Sequence, residues 1–369
     1  MQLPLNLALL SRTATRLRTK LRTADSPLRP RTVQALCMAA FALLLANPAY
    51  AQVDRVYPVT GNPIVGKITE MHRDRVVVES GSNKQTVGVD KIRRILFDGE
   101  PAGLVKGREF ALDGEYDQAA EELRRLDFAA LRRDAVKADA MYYLAYSESQ
   151  LALVGRGDSG EAIRKMLAFV NGNAQNIHFY RAAKTLGDLA VATGNYEQAL
   201  RYYGALSGAP AAELKIEAEY LIGVAKLRQG NAAEAETSFT KVAGASVQSP
   251  AGIRLQTLAK AGQAVTLAAQ SKADEALTLV NSLIGELNPA DSEMAARIYN
   301  AQGASYEAKG DHEGAVLAYL HTHLMFSGQA DAHAEALSRL VELWPKVGSP
   351  ERANAARQEL QQRYPGWKR

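Results

Sequence analysis

The chain is nearly without cysteine: one of its 369 residues is a cysteine, Cys37, inside an apolar run near the N terminus. Everything beyond residue 51 is therefore barred from disulfides, thiol catalysis and thiolate metal sites. A membrane-length apolar stretch is lacking too, since the run Val33–Leu45 falls short of the roughly 20 residues that a spanning helix needs. Nucleophile-elbow, P-loop and HExxH patterns do not occur, so the sequence gives no support to the hydrolytic, nucleotide-driven or zinc-protease chemistry those patterns carry. Nor is there a large excess of one charge: 44 basic and 40 acidic residues leave +4. Seven of the basic residues and one acid, Asp25, precede residue 52, which leaves the remainder near −2. Nucleic-acid binding thereby loses its electrostatic basis.

The early basic residues are Arg12, Arg16, Arg18, Lys20, Arg22, Arg29 and Arg31, and they lead into the apolar run. Ala49-Tyr50-Ala51 then supplies a small-x-small cleavage sequence. Residues 1–51 read as a secretion signal, with Gln52 opening a periplasmic or otherwise exported chain that has no integral membrane span after cleavage. Cys37 lies far from the cleavage point and is not placed for lipid attachment. The length of the basic leader leaves two rivals to export, a start codon downstream of Met1 and an organelle presequence. No twin-arginine pair is present there.

What is there in abundance is a repeat. Seven times a turn residue is followed five positions later by alanine: Gly114/Ala119, Gly157/Ala162, Gly194/Ala199, Gly230/Ala235, Ser271/Ala276, Gly310/Ala315 and Gly348/Ala353. The spacings are 43, 37, 36, 41, 39 and 38 residues. Such a period predicts a stack of small helical units, each burying its apolar face on its neighbours. Four residues beyond each alanine, on the same helix face, stand Leu123, Met166, Tyr203, Phe239, Val280, Tyr319 and Arg357. Only the last is polar, as a terminal unit with a wet outer face requires.

The best unit runs Tyr180–Pro210, with Leu186 and Gly187 on one helix, Gly194 and Tyr196 at the turn, and Ala199, Tyr203 and Leu206 on the next. Tyr299, Gly303, Tyr306, Ala315 and Tyr319 repeat that pattern, as do Ile222, Gly223, Ala235, Phe239 and Val242. These units resemble the tetratricopeptide (TPR) repeat. The resemblance implies a mostly α fold, a right-handed solenoid of about seven helix pairs over residues 101–369. It also implies a non-catalytic scaffold or adaptor for proteins or peptides, with no cofactor. Residues 52–100 differ, with short alternating runs at Ile64–Ile68, Val76–Glu79, Thr86–Val89 and Arg94–Phe97 between Gly61-Asn62-Pro63, His72-Arg73-Asp74 and Gly81-Ser82-Asn83. Four or five strands are expected there, as a small SH3-like or Sm-like barrel docked on the array.

In the TPR family the inner groove is lined by first-helix side chains. Transferred by register, that implies a partner site of Lys184, Asp188, Glu217, Tyr220, Val224, Arg297, Asn300 and Glu307. Asp188, Tyr220 and Val224 depart from the family's carboxylate-clamp pattern, so an extended peptide or a partner helix is the expected occupant. Envelope proteins are the expected partners, with membership of an envelope-assembly or cell-wall complex as an alternative. A catalytic site assembled across repeats is the remote third reading. Gly155-Arg-Gly157-Asp-Ser-Gly160 satisfies G-x-G-x-x-G but falls in a repeat turn, without the preceding strand that a dinucleotide site needs. His321 and His323, with His312 and His333 nearby, suggest metal at first sight. Positions i and i+2 of a helix point apart, however, so a shared ion is not expected.

Overall fold

The computed structural model describes residues 52–367 apart from Pro289 and Gly366; the expected leader lies outside the described residues. Alternating Val and Ile positions build five strands: β1 (Asp54–Pro58), β2 (Ile64–Met71), β3 (Arg75–Ser80), β4 (Asn83–Gly88) and β5 (Ile92–Leu96). All neighbours are antiparallel, in the order β4-β3-β2-β1-β5. A single 3₁₀ turn, Val89–Lys91, carries the chain from one edge strand to the other. Val56, Val76, Val78, Val87, Ile92, Ile95 and Phe97 bury the inner face. So small a sheet has little interior of its own. Its apolar cluster continues into Leu104, Leu123, Tyr142, Phe169 and Leu186 of the helices, and from Val53 onward the chain forms one compact unit.

Fourteen helices follow among the described residues, as seven pairs. They are α1 (Ala102–Leu112), α2 (Tyr116–Arg124), α3 (Asp134–Leu153), α4 (Ser159–Gly172), α5 (Phe179–Ala192), α6 (Tyr196–Ala205) and α7 (Ala212–Arg228). The second half comprises α8 (Ala232–Ala243), α9 (Pro250–Ala269), α10 (Ala273–Gly285), α11 (Ser292–Lys309), α12 (His312–Met325), α13 (Ala330–Leu343) and α14 (Pro350–Arg363). Each expected alanine is buried, and so is every residue four places on, until Arg357 turns outward. The glycines opposite explain the spacing. A Cβ on Gly187 would stand 2.2 Å from the Tyr203 ring, on Gly223 2.7 Å from Phe239, and on Gly303 2.6 Å from Tyr319. Large rings on the second helix of a pair thus need a bare backbone on the first.

One turn departs from expectation. Gly114, Gly194, Gly230, Gly310 and Gly348 have positive φ, joined by the non-glycine Ser271 at 63°. In the second repeat the left-handed residue is Gly155, at 76°, and not Gly157. The α3–α4 connection is longer, so Gly157 keeps the five-residue distance to Ala162 while the helix reverses two residues earlier. The array also coils back on itself. A Cβ on Gly155 would lie 2.8 Å from Pro365 Cδ, which places the end of the last repeat against the turn of the second.

Candidate functional site

First-helix side chains of the third to seventh repeats line a half-exposed inner face crossed by a ladder of ion pairs. In α5, Lys184 Nζ donates to Asp188 Oδ2 at 3.0 Å and stands 4.0 Å from Glu217 Oε1 of α7. Tyr203 donates its hydroxyl to the other Asp188 oxygen at 2.8 Å. Farther along, Arg254 of α9 donates to both oxygens of Asp291, the N-cap of α11, at 2.7 and 3.0 Å, and to Glu293 at 2.7 Å. Arg297 donates to Asp331 of α13 at 3.1 Å. Arg228, at the end of α7, donates to Asp331 at 3.2 Å and to Glu335 at 3.1 Å, spanning three repeats. The Trp367 ring lies 4.6 Å over the same guanidinium. Four cations here face six carboxylates, so the groove is acidic.

The groove's electrostatics follow from that imbalance. Burial raises the Glu217 carboxyl, Lys184 opposes the shift, and Asp188 and Glu293 add to it. Burial alone would also raise Asp331, but Arg297 and Arg228 outweigh it and hold the carboxyl below its ordinary value. Lys184 would be lowered by burial, yet Asp188 and Glu217 carry it above the usual lysine value. Glu217 is thus the least compensated acid on the ladder.

The eight groove positions named from sequence do not behave alike. Lys184, Asp188 and Glu217 converge as one half-exposed cluster. Arg297 belongs to the next rung. Tyr220 is buried and packs on Phe239, while Val224 packs beside it. Asn300 is buried and donates to Ala332 O at 2.9 Å, tying the sixth repeat to the seventh. Glu307 accepts from Tyr319 at 2.8 Å, apart from the main ladder. Sequence reading missed Arg228, Arg254, Glu293 and Asp331. The capping aspartate pattern before α11 is the one local signal that pointed to any of this set, through Asp291.

A second polar network sits where the sheet meets the helices, with no local motif to mark it. Arg108 of α1 is fully buried, donating to Glu100 at 3.1 and 2.6 Å and to Asp139 at 2.8 Å. His178 Nε2 is 2.8 Å from the other Asp139 oxygen, and its ring stacks on Tyr142 at 3.9 Å. Burial lowers His178 against the pull of Asp139, so Nε2–H of the neutral ring is the donor. Nearby, Arg133 donates to Asp54 of β1 at 2.8 and 3.1 Å. These buried groups join sheet to array. A cleft of about 350 Å³ is lined by His72, Arg73 and Asp74 of the β2–β3 turn, by Arg75 at the start of β3 and by Tyr180 of α5.

No family model matches the sequence, and no curated protein is similar to it in sequence. Solved structures do match. A tetratricopeptide repeat protein from Parabacteroides merdae is 18% identical, with 71% of this chain and 92% of that one covered at a TM-score of 0.52. The apo form of RapI is 12% identical, with 72% of this chain and 97% of that one covered at a TM-score of 0.55. At these identities the likeness concerns the fold, and the helical array has the tetratricopeptide architecture.

Proposed function

We propose, from a tetratricopeptide array whose inner face carries a half-exposed ladder of charge, that the chain is an exported, non-catalytic scaffold that binds a protein or peptide in that groove. The observation that carries this reading is the cluster at Lys184, Asp188 and Glu217. Its ion pairs are partly solvated, 23–36% exposed at the side chain, so a partner's charges can replace them at little cost. The acidic balance favours a basic, extended segment or an amphipathic helix, recognised by side-chain anchors along the groove. No cofactor is required for this role. Among the described residues no helix is long and apolar enough to cross a membrane, and the leader supplies the route to an envelope partner.

Affinity capture tests the reading. The tagged chain, expressed in its native host and crosslinked, is compared with a Lys184→Ala/Glu217→Ala variant by mass spectrometry. A partner recovered with the parent and lost with the variant supports groove binding; an identical set of recovered proteins overturns it. The N-terminal sequence of the recovered protein checks export independently, Gln52 being the expected first residue.

A further inference from the structure

Outside the groove, three metal-ligating side chains from three different helices meet at the far end of the array. We propose that His323, His333 and Glu359 form a binding site for a single divalent transition cation of the zinc class. His323 lies in the last turn of α12, His333 in the first turn of α13 and Glu359 one turn before the end of α14. Their candidate ligand atoms all lie within 4.8 Å of one another. His323 Nδ1 is 2.8 Å from His333 Nε2, and the Glu359 carboxylate is 3.8 Å from His333 Nε2. Ligands about 2 Å from a tetrahedral zinc are roughly 3.3 Å apart, so changes of about 1.5 Å or less in these separations bring all three onto one ion. Two imidazoles and a carboxylate leave a fourth position open, as in sites that retain water or accept an exogenous ligand.

The surroundings are those of a supported site. His333 is fully buried, and its other nitrogen, Nδ1, is 2.7 Å from the Tyr364 hydroxyl. That bond fixes the ring and leaves Nε2 facing the other ligands, the usual arrangement behind a metal-bound histidine. Arg363 holds one Glu359 oxygen at 3.0 Å, orienting the carboxylate. The i, i+2 argument still separates His321 from His323: His321 stacks on Tyr299 at 4.5 Å, on another face. The second histidine ligand comes from the next helix, where no spacing rule reveals it.

The test uses the full chain in a Cys37→Ser background, stripped of metal and titrated with ZnCl₂ in a calorimeter. The expected result is one Zn²⁺ per chain and a higher Tm with zinc. His323→Gln or Glu359→Gln should weaken uptake about tenfold or more and Tyr364→Phe by about tenfold, each with an unchanged circular dichroism spectrum. His321→Gln should bind like the parent. Cobalt substitution reads the site directly, with strong visible absorption expected from a tetrahedral N,O site. No stoichiometric uptake overturns the proposal, and so does uptake that survives both ligand substitutions, which would place the metal elsewhere.

Discussion

The junction and the groove are built from the same chemistry, arginine against paired carboxylates, and differ in water. At the junction the side chains of Arg108, Glu100 and Asp139 are 0%, 4% and 4% exposed. On the groove Arg228, Glu335 and Asp331 are 20%, 30% and 49% exposed. A dry network cannot exchange partners: once one member is removed, the others are left as bare charges in a poor solvent. A wet ladder exchanges readily, because water meets whatever is released. Burial therefore separates the arginine that holds two parts of the molecule together from the arginines whose ion pairs water can reach.

Breaking the dry network is the largest expected effect. Arg108→Met should cost about 3–5 kcal/mol, because Asp139 and Glu100 remain buried without their cation; urea denaturation measures it. Arg228→Met on the groove should cost no more than about 1 kcal/mol. Equal losses would erase the distinction between the regions. Next comes packing inside the array. Gly187→Ala drives a methyl into the Tyr203 ring and should cost about 1–3 kcal/mol, read in the same melts.

The two regions also titrate with opposite sign. His178 is held below its ordinary value of 6.5, chiefly by burial. The unfolded chain therefore binds a proton that the folded chain refuses, and the stability His178 contributes is lost as pH falls below that value. The parent's advantage over His178→Gln should shrink between about pH 7 and pH 5, at up to about 1.4 kcal/mol per unit. Glu217 is raised instead. Its contribution is present at low pH and lost as pH rises through the folded carboxyl's titration. Glu217→Gln should gain on the parent over that rise, by less than about 1 kcal/mol, since the group is partly solvated.

How legible each region was follows from how local its causes are. The helix pairs were readable because a turn glycine, an alanine five residues on and a large residue four beyond that lie on one chain segment, and packing demands all three. The misplacement of the second turn from Gly155 to Gly157 has the same origin: spacing to Ala162 was the only guide, and a longer loop leaves it unchanged. Lys184, Asp188 and Glu217 were placed together because groove register follows from repeat register. Arg108, Asp139 and His178 were invisible. Their bonds span 31 and 39 residues, and nothing in either local sequence marks a charged residue for burial. The pairing of His323 with His333 likewise depends on how one helix packs on the next.

The smallest effect on stability is expected where the effect on function should be greatest. Lys184→Ala/Glu217→Ala removes an ion pair at 4.0 Å whose members are 36% and 29% exposed. The melt should move by less than about 1 kcal/mol. Asp188 keeps its bond from Tyr203, so no orphaned buried charge results. With the captured partner in hand, calorimetry should nevertheless show binding at least about tenfold weaker, because anchors near an interface centre dominate its energy. Arg108→Met should show the reverse: a large loss of stability, and parent-like affinity in whatever fraction stays folded. If the groove variant binds like the parent while melting normally, partner recognition belongs to the cleft beside the β2–β3 turn. There Arg73 lies over the Phe179 and Tyr180 rings at 5.5 and 5.9 Å, and an Arg73→Ala variant would then carry the loss.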